Sequence, residues 1–341
     1  MNIKYNILGI AALLLCSCSN SETPEQTAME IAVSASLASP TEDTRATPIT
    51  NIDQLDALEI SVIRNDSGQS YFTDIATPNG SVFSFPTPHY WLPGAPLDFY
   101  AHTPSPHISN LIVGNGAIKF NYTAAPAGVS TDGEDVLVGV AFSMQYGDTN
   151  GGVVPLKLRH TLAMIEFAVA YEEDSEGNRT SKIGKDVIIT NIALHNMARA
   201  GICKLTNSAC EWTVGSSVEW IEADFTRPAE ADEQADFSAP DGTPMCGLRM
   251  GRDIFAGDVI NTSDRSKALI VVPDQQLVEM RVSFVEGSPA IYSKVFPIEP
   301  IMIESGKYYR FDLSIKSNDV TVWSTKVTDW IEAEGGEITL Q

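Results

Sequence analysis

Helical periodicity is almost absent from this chain of 341 residues. Apolar residues do not recur at three- and four-residue spacing over any long window, which argues against a helical bundle or an alternating α/β fold. Basic residues are scarce too: 22 Lys and Arg stand against 44 Asp and Glu, for a net charge of −22. A phosphate-binding surface needs clustered Lys and Arg, so the balance argues against nucleic acid as a partner. It also disfavours adhesion to anionic lipid through a basic patch. The five cysteines are too few for a disulfide scaffold, and none sits in the CxxC or Cys/His spacing of structural zinc. GxSxG, HExxH, Walker A and GxGxxG are all missing. The histidines (His89, His102, His107, His160 and His195) are scattered, whereas a metal site needs several converging ligands. No catalytic residue, metal site or cofactor is assigned, and no enzymatic activity is expected.

What is present begins with an address. Residues 1–17 carry Lys4 and then the apolar run Ile7–Leu15, the pattern of a secretory signal. The run is shorter than the roughly 20 residues that span a bilayer. It ends in Leu15-Cys16-Ser17-Cys18, which resembles a bacterial lipobox. That resemblance implies cleavage before Cys18 and a lipid anchor on Cys18, and several acyl chains on one cysteine would hold firmly. Residues 18–28 are polar and aperiodic, as in a flexible tether.

The body alternates with period two between Gly, Pro, Asn and Asp punctuation, the signature of an all-β chain. In the first such run Met29, Ile31, Val33, Ala35 and Leu37 share one face, as in a strand buried on one side. A Thr- and Pro-rich loop, 38–50, follows, with Arg45 its only basic residue. Further strands are expected at Leu58–Arg64, Ser81–Phe85, Leu97–His102, Ala117–Tyr122, Val136–Phe142 and Val154–Leu158. The second half supplies Leu162–Tyr171, Val187–His195, Gly201–Leu205, Ala268–Val272, Val278–Val285, Ile291–Ile298, Tyr308–Ile315, Val320–Lys326 and Glu337–Leu340. The acidic stretch Glu222–Asp236 reads as a solvated loop without the oxygen spacing of a calcium site. A domain division near the Gly-rich stretch before Leu162 gives an N-terminal domain at 29–155 and a C-terminal one at 156–341.

Two side-chain groups have two readings each. Cys203 and Cys210 could face each other across a hairpin or be small buried apolar residues. Tyr90, Trp91, Phe99 and Tyr100 lie among prolines. They are either a rigid corner capping the core or a stacking platform for a host glycan or protein.

Several segments in order carry a family resemblance. They are the lipobox, the alternating first strand, Thr44-Arg45-Ala46-Thr47-Pro48, Tyr90-Trp91-Leu92-Pro93, Leu97-Asp98-Phe99-Tyr100-Ala101, Glu134-Asp135-Val136-Leu137-Val138, Val154–Ile165, Val320–Trp323 and Thr328-Asp329-Trp330. Together they resemble the fimbrillin-like family, lipoprotein pilins and pilus-associated proteins of anaerobic gut and oral bacteria. Met164 departs from the pattern, where relatives often carry Lys, and is expected to face away from the apolar positions. The resemblance implies two tandem transthyretin-like β-sandwich domains. It also implies a trypsin-like cut between Arg45 and Ala46 that releases the first strand. An extended segment from another pilus subunit would then enter the vacated groove by strand addition, with Gly336–Gln341 or the hairpin before it a donor candidate. The alternative is an uncleaved surface lipoprotein that binds glycan or host protein.

Overall fold

The structure, a computed structural model, describes residues 29–37, 52–124, 135–169, 187–232, 234–249, 268–286, 290–316 and 319–329. Cys18, Arg45, Ala46 and the donor candidate Gly336–Gln341 lie outside the described residues. Those that are described form an all-β protein.

The first strands are β1 (Ala32–Leu37), β2 (Leu58–Arg64), β3 (Ser70–Asn79), β4 (Val82–Ser84) and β5 (Leu97–His102). A hairpin of β6 (Ile108–Gly114) and β7 (Ala117–Thr123) follows, then β8 (Leu137–Met144) and β9 (Val153–His160). Seven of these close into a barrel in the order β1-β4-β3-β2-β5-β8-β9, with β9 returning to β1. The alternation in the sequence explains the barrel interior. Leu58, Ile60 and Val62 of β2 point inward, as do Val154, Leu156 and Leu158 of β9, while Pro155 and Lys157 face out. The division expected at 155/156 falls within β9.

The second half opens with β10 (Ala163–Val169), β11 (Val187–Ala198), β12 (Ala200–Thr206), β13 (Cys210–Val214) and β14 (Val218–Asp224). Short strands β15 (Arg227–Pro228), β16 (Phe237–Ser238), β17 (Pro244–Cys246) and β18 (Leu248–Arg249) follow. The last are β19 (Leu269–Val271), β20 (Gln275–Glu286), β21 (Ile291–Ile303), β22 (Lys307–Lys316) and β23 (Asp319–Asp329). One sheet runs β19-β10-β22-β23 and another β14-β11-β20-β21. Between them lies a core that includes Ile165, Phe167, Ile192, Val282, Phe284 and Phe311.

The two halves share a sheet. Hairpin β6–β7 joins hairpin β12–β13 in the order β13-β12-β7-β6, with Ala200 opposite Thr123 and Thr206 opposite Ala117. A third core lies under it, where Tyr100 of β5 and Met164 of β10 meet Phe120, Tyr122, Cys203 and Trp212. The Trp212 indole donates to the Thr161 carbonyl at 2.7 Å. Met164, expected on an outward face, is fully buried, because β10 has packed neighbours on both faces: Ala163, Ile165 and Phe167 enter the C-terminal core, while Leu162 and Met164 enter the shared one. Another correction concerns the acidic stretch. Its first residues belong to β14, where Glu222 accepts from Arg281 of β20, so a cross-strand ion pair replaces part of the expected loop.

Tyr309 shows how tightly the C-terminal core is closed. Its hydroxyl donates to the Met302 carbonyl at 3.0 Å and accepts from the Glu304 N–H at 2.8 Å. Burial pushes the phenol up to about 12. The unfolded chain therefore ionises first, near its ordinary value of about 10. Stability from this group is intact below pH ~10 and is lost as pH rises toward 12. Scanning calorimetry should show the melting temperature falling more steeply over that window in the wild type than in Tyr309→Phe. At neutral pH the substitution should cost roughly 0.5–1.5 kcal/mol, because two part-buried hydrogen bonds to the Met302 carbonyl and the Glu304 N–H are lost.

Candidate functional site: the seat of the first strand

Strand β1 lies parallel to β9 over six residue pairs, from Ala32 opposite Val153 to Leu37 opposite Leu158. Its other side meets β4 through one pair, Val33 opposite Phe83. The strand therefore fills the seam between the last strand of the barrel and a three-residue edge. Ile31, just ahead of the strand, and Val33 within it are fully buried in the barrel core, and Ala35 and Leu37 are partly buried against it. Full burial of an aliphatic side chain contributes roughly 1.5–3 kcal/mol, so the N-terminal half of the strand holds hardest. Met29, expected on the same face, is 43% exposed and precedes the strand.

The chain before β1 has its own partner. The Ile31 N–H donates to the His89 carbonyl at 2.8 Å, and the Trp91 N–H donates to the Met29 carbonyl at 2.9 Å. Glu30 and Tyr90 are thus bridged antiparallel. The Trp91 indole N–H donates to the Gly152 carbonyl at 3.2 Å. Gly152 is at φ 92°, a left-handed conformation that suits glycine. A Cβ there would lie 2.5 Å from the Glu30 carbonyl oxygen, so the backbone approach itself requires glycine.

The corner 89–91 is braced from behind. Tyr71 of β3 donates its hydroxyl to the Tyr90 carbonyl at 2.7 Å. His89 stacks on Phe72 with ring centroids 3.7 Å apart and lies 3.0 Å from the Asp74 carboxylate. The hydrogen bond from His89 holds the Asp74 carboxyl below its usual range.

The four aromatics singled out in the sequence do not share an exposed face. Trp91 and Phe99 are buried in the barrel core with their rings 5.8 Å apart. Tyr100 points the opposite way, into the shared core, because neighbours on a strand face opposite sides. Tyr90 alone is exposed. Cys203 and Cys210 do face each other, with sulfurs 3.7 Å apart, as free thiols diagonal across the β12–β13 hairpin. Among the described residues no group of three or more His, Cys, Asp or Glu could hold a metal ion. Sequence reasoning missed His89 and Gly152. Gly152, second of the pair Gly151-Gly152 just ahead of β9, was the one signal of the close backbone approach.

An all-β chain built of a strand-sealed barrel and four further sheets among the described residues is a class defined by its topology. The chain belongs to the fimbrillin-like family, whose sequence model matches residues 44–330. Solved structures share its fold. A fimbrial protein from Bacteroides vulgatus is similar at TM-score 0.57 and 13% identity, with 88% of this chain and 99% of that one covered. A candidate cell adhesion protein from Bacteroides uniformis gives TM-score 0.52 at 16% identity, covering 88% and 99%. One from Bacteroides ovatus gives 0.51 at 14%, covering 90% and 99%. No curated protein matches the chain.

Replacing Val33 tests how the strand is seated. In Val33→Asp a carboxylate must enter the barrel core without a partner, a penalty of roughly 3–5 kcal/mol. Hydrogen exchange of the β9 amides that face β1 within Val153–Leu158 (Pro155 has none) should then accelerate more than tenfold, while β22 stays protected.

Proposed function

We propose that this chain is a cell-surface, lipid-anchored subunit of a fimbrium, either structural or accessory, and that it works by assembly rather than by catalysis. The signal peptide is 1–17, Cys18 carries the anchor, and 18–28 is the tether. The body is two tandem units in the transthyretin-like arrangement, divided after β9 and not within it. A trypsin-like protease cuts between Arg45 and Ala46. The strand formed by Ile31, Val33, Ala35 and Leu37, with Met29 ahead of it, then leaves its seat, and an extended segment of a neighbouring subunit takes its place.

The observation that carries this reading is the seat of β1. Strand β9 would offer six residues of unpaired edge once β1 is gone. Beside that edge the barrel core would open where Ile31 and Val33 now sit. An open edge with pockets for alternate side chains is what strand addition uses. Family membership supports the fimbrial setting. Attraction between subunits does not come from net charge, which is −22 before any cut; like-charged bodies repel at long range, so pairing and apolar burial must bring them together.

Limited trypsin treatment tests the maturation step. The body should acquire Ala46 as its N-terminus by mass spectrometry and then run as a ladder of multimers. Arg45→Ala should abolish both changes. A body that is cut at Arg45 and stays monomeric at high concentration overturns the assembly reading. Cys18→Ser should abolish labelling by fatty acid and shift the chain out of the membrane fraction; continued labelling overturns the anchor assignment.

A further inference from the structure

The first strand is held unevenly along its length. At its N-terminal end Ile31 and Val33 are fully buried, while toward its C-terminal end Ala35 and Leu37 are partly buried and Ser36 is exposed. The residues ahead of the strand add two backbone hydrogen bonds to the corner 89–91. These bonds lie outside the β1–β9 ladder. The loop in which cleavage is expected joins the loosely held end, and the anchor and tether join the clasped end.

We infer that the corner His89–Trp91, with Gly152, is a retaining clasp: it keeps the first strand seated after the chain behind the strand is cut. The inference rests on the strand-release reading above and adds how release is controlled. Cutting behind Leu37 frees the end that contributes least. The fragment then stays until both backbone bonds to His89 and Trp91 break together, because the two are exchanged across one bridge, Glu30 to Tyr90. Trp91 is the positioning residue. Its indole bond to the Gly152 carbonyl ties the corner to the turn leading into β9, so corner and β9 hold the strand as one rigid slot. Tyr71 and the His89–Phe72 stack fix the corner from the β3 side. The close approach of Gly152 to the Glu30 carbonyl leaves no slack for the strand to slide along its axis. A segment that replaces β1 must therefore displace a clasped strand, and the vacated slot extends past the strand to the three residues of the corner.

The test uses the full mature chain with a site for an exogenous sequence-specific protease placed between residues 40 and 50, so that cutting does not depend on Arg45. After complete cutting, the half-life of the N-terminal fragment on the body is followed by gel filtration and intact mass. In the wild type the fragment should co-elute with the body. Trp91→Phe keeps an aromatic ring and removes the indole donor; it should shorten the half-life about fivefold to tenfold, as expected for one buried hydrogen bond. Tyr71→Phe keeps the ring and removes only the hydroxyl that braces the Tyr90 carbonyl, an exposed hydrogen bond; it should shorten the half-life about twofold. It also keeps the test decisive if Trp91→Phe lowers folding yield. Leu37→Ala, at the loose end, should change it less than Trp91→Phe. Immediate loss of the fragment from the cut wild type, or one half-life shared by the wild type and both aromatic variants, overturns the clasp. A clasp-dependent half-life without multimers overturns the assembly reading and leaves the clasp standing; multimers with a clasp-independent half-life do the reverse.

Discussion

The parallel ladder between β1 and β9 is the contact on which the N-terminal half depends. These are the first and last strands of the barrel in sequence, and they are neighbours in space. Parallel neighbours cannot be joined by a tight turn and need a long crossover. Here the crossover contains every other strand of the barrel. Closure therefore waits on one terminal strand, which touches its other neighbour through a single pair. A barrel has no edges while it is closed. Losing β1 would create two at once, facing each other across a gap one strand wide.

The rest of the molecule does not share this dependence. No residue of 29–37 belongs to the C-terminal core or to the core between the halves. Those two cores are joined through β10, whose opposite faces feed both. The sheet made from β6, β7, β12 and β13 adds a backbone ladder between the halves. Removal of the first strand thus opens one apolar cavity in a body that is otherwise braced by two cores and a shared sheet. Strand exchange needs such a division, in which one element is separable and its surroundings hold their shape.

Much of the strand inventory was legible from alternation. Leu58–Arg64 and Leu97–His102 are strands over the residues that the pattern marks. Strand β3 escaped because its alternation is weak: it has one fully buried residue, Ala76, among polar and half-exposed ones. Strand β14 carries Glu219, Glu222 and Asp224, so composition points to a loop where a paired strand exists. Strand β13 alternates, with Trp212 buried between Glu211 and Thr213, but is only five residues long. The site was legible in part. Ile31, Val33, Ala35 and Leu37 announce an extended segment buried on one face. Trp91 was legible as an aromatic among prolines, though its partners were not. Its ring is buried beside Phe99 and its N–H reaches a glycine 61 residues further along the chain.

By itself the sequence determined the all-β class and which face of the first strand is apolar. These follow from local composition and from the two-residue period of a strand, which any window of the chain displays. Tertiary structure decided which strand lies beside β1, that the barrel closes, that Met164 is buried, and that the 89–91 corner grips the chain ahead of β1. The reason is physical. Alternation says which side of a strand avoids water and nothing about which edge it pairs with. Pairing is settled only when distant segments compete for the same backbone groups, and the winner here is the arrangement that pairs Val153–Leu158 of β9 with β1 and fills the barrel with Ile31 and Val33.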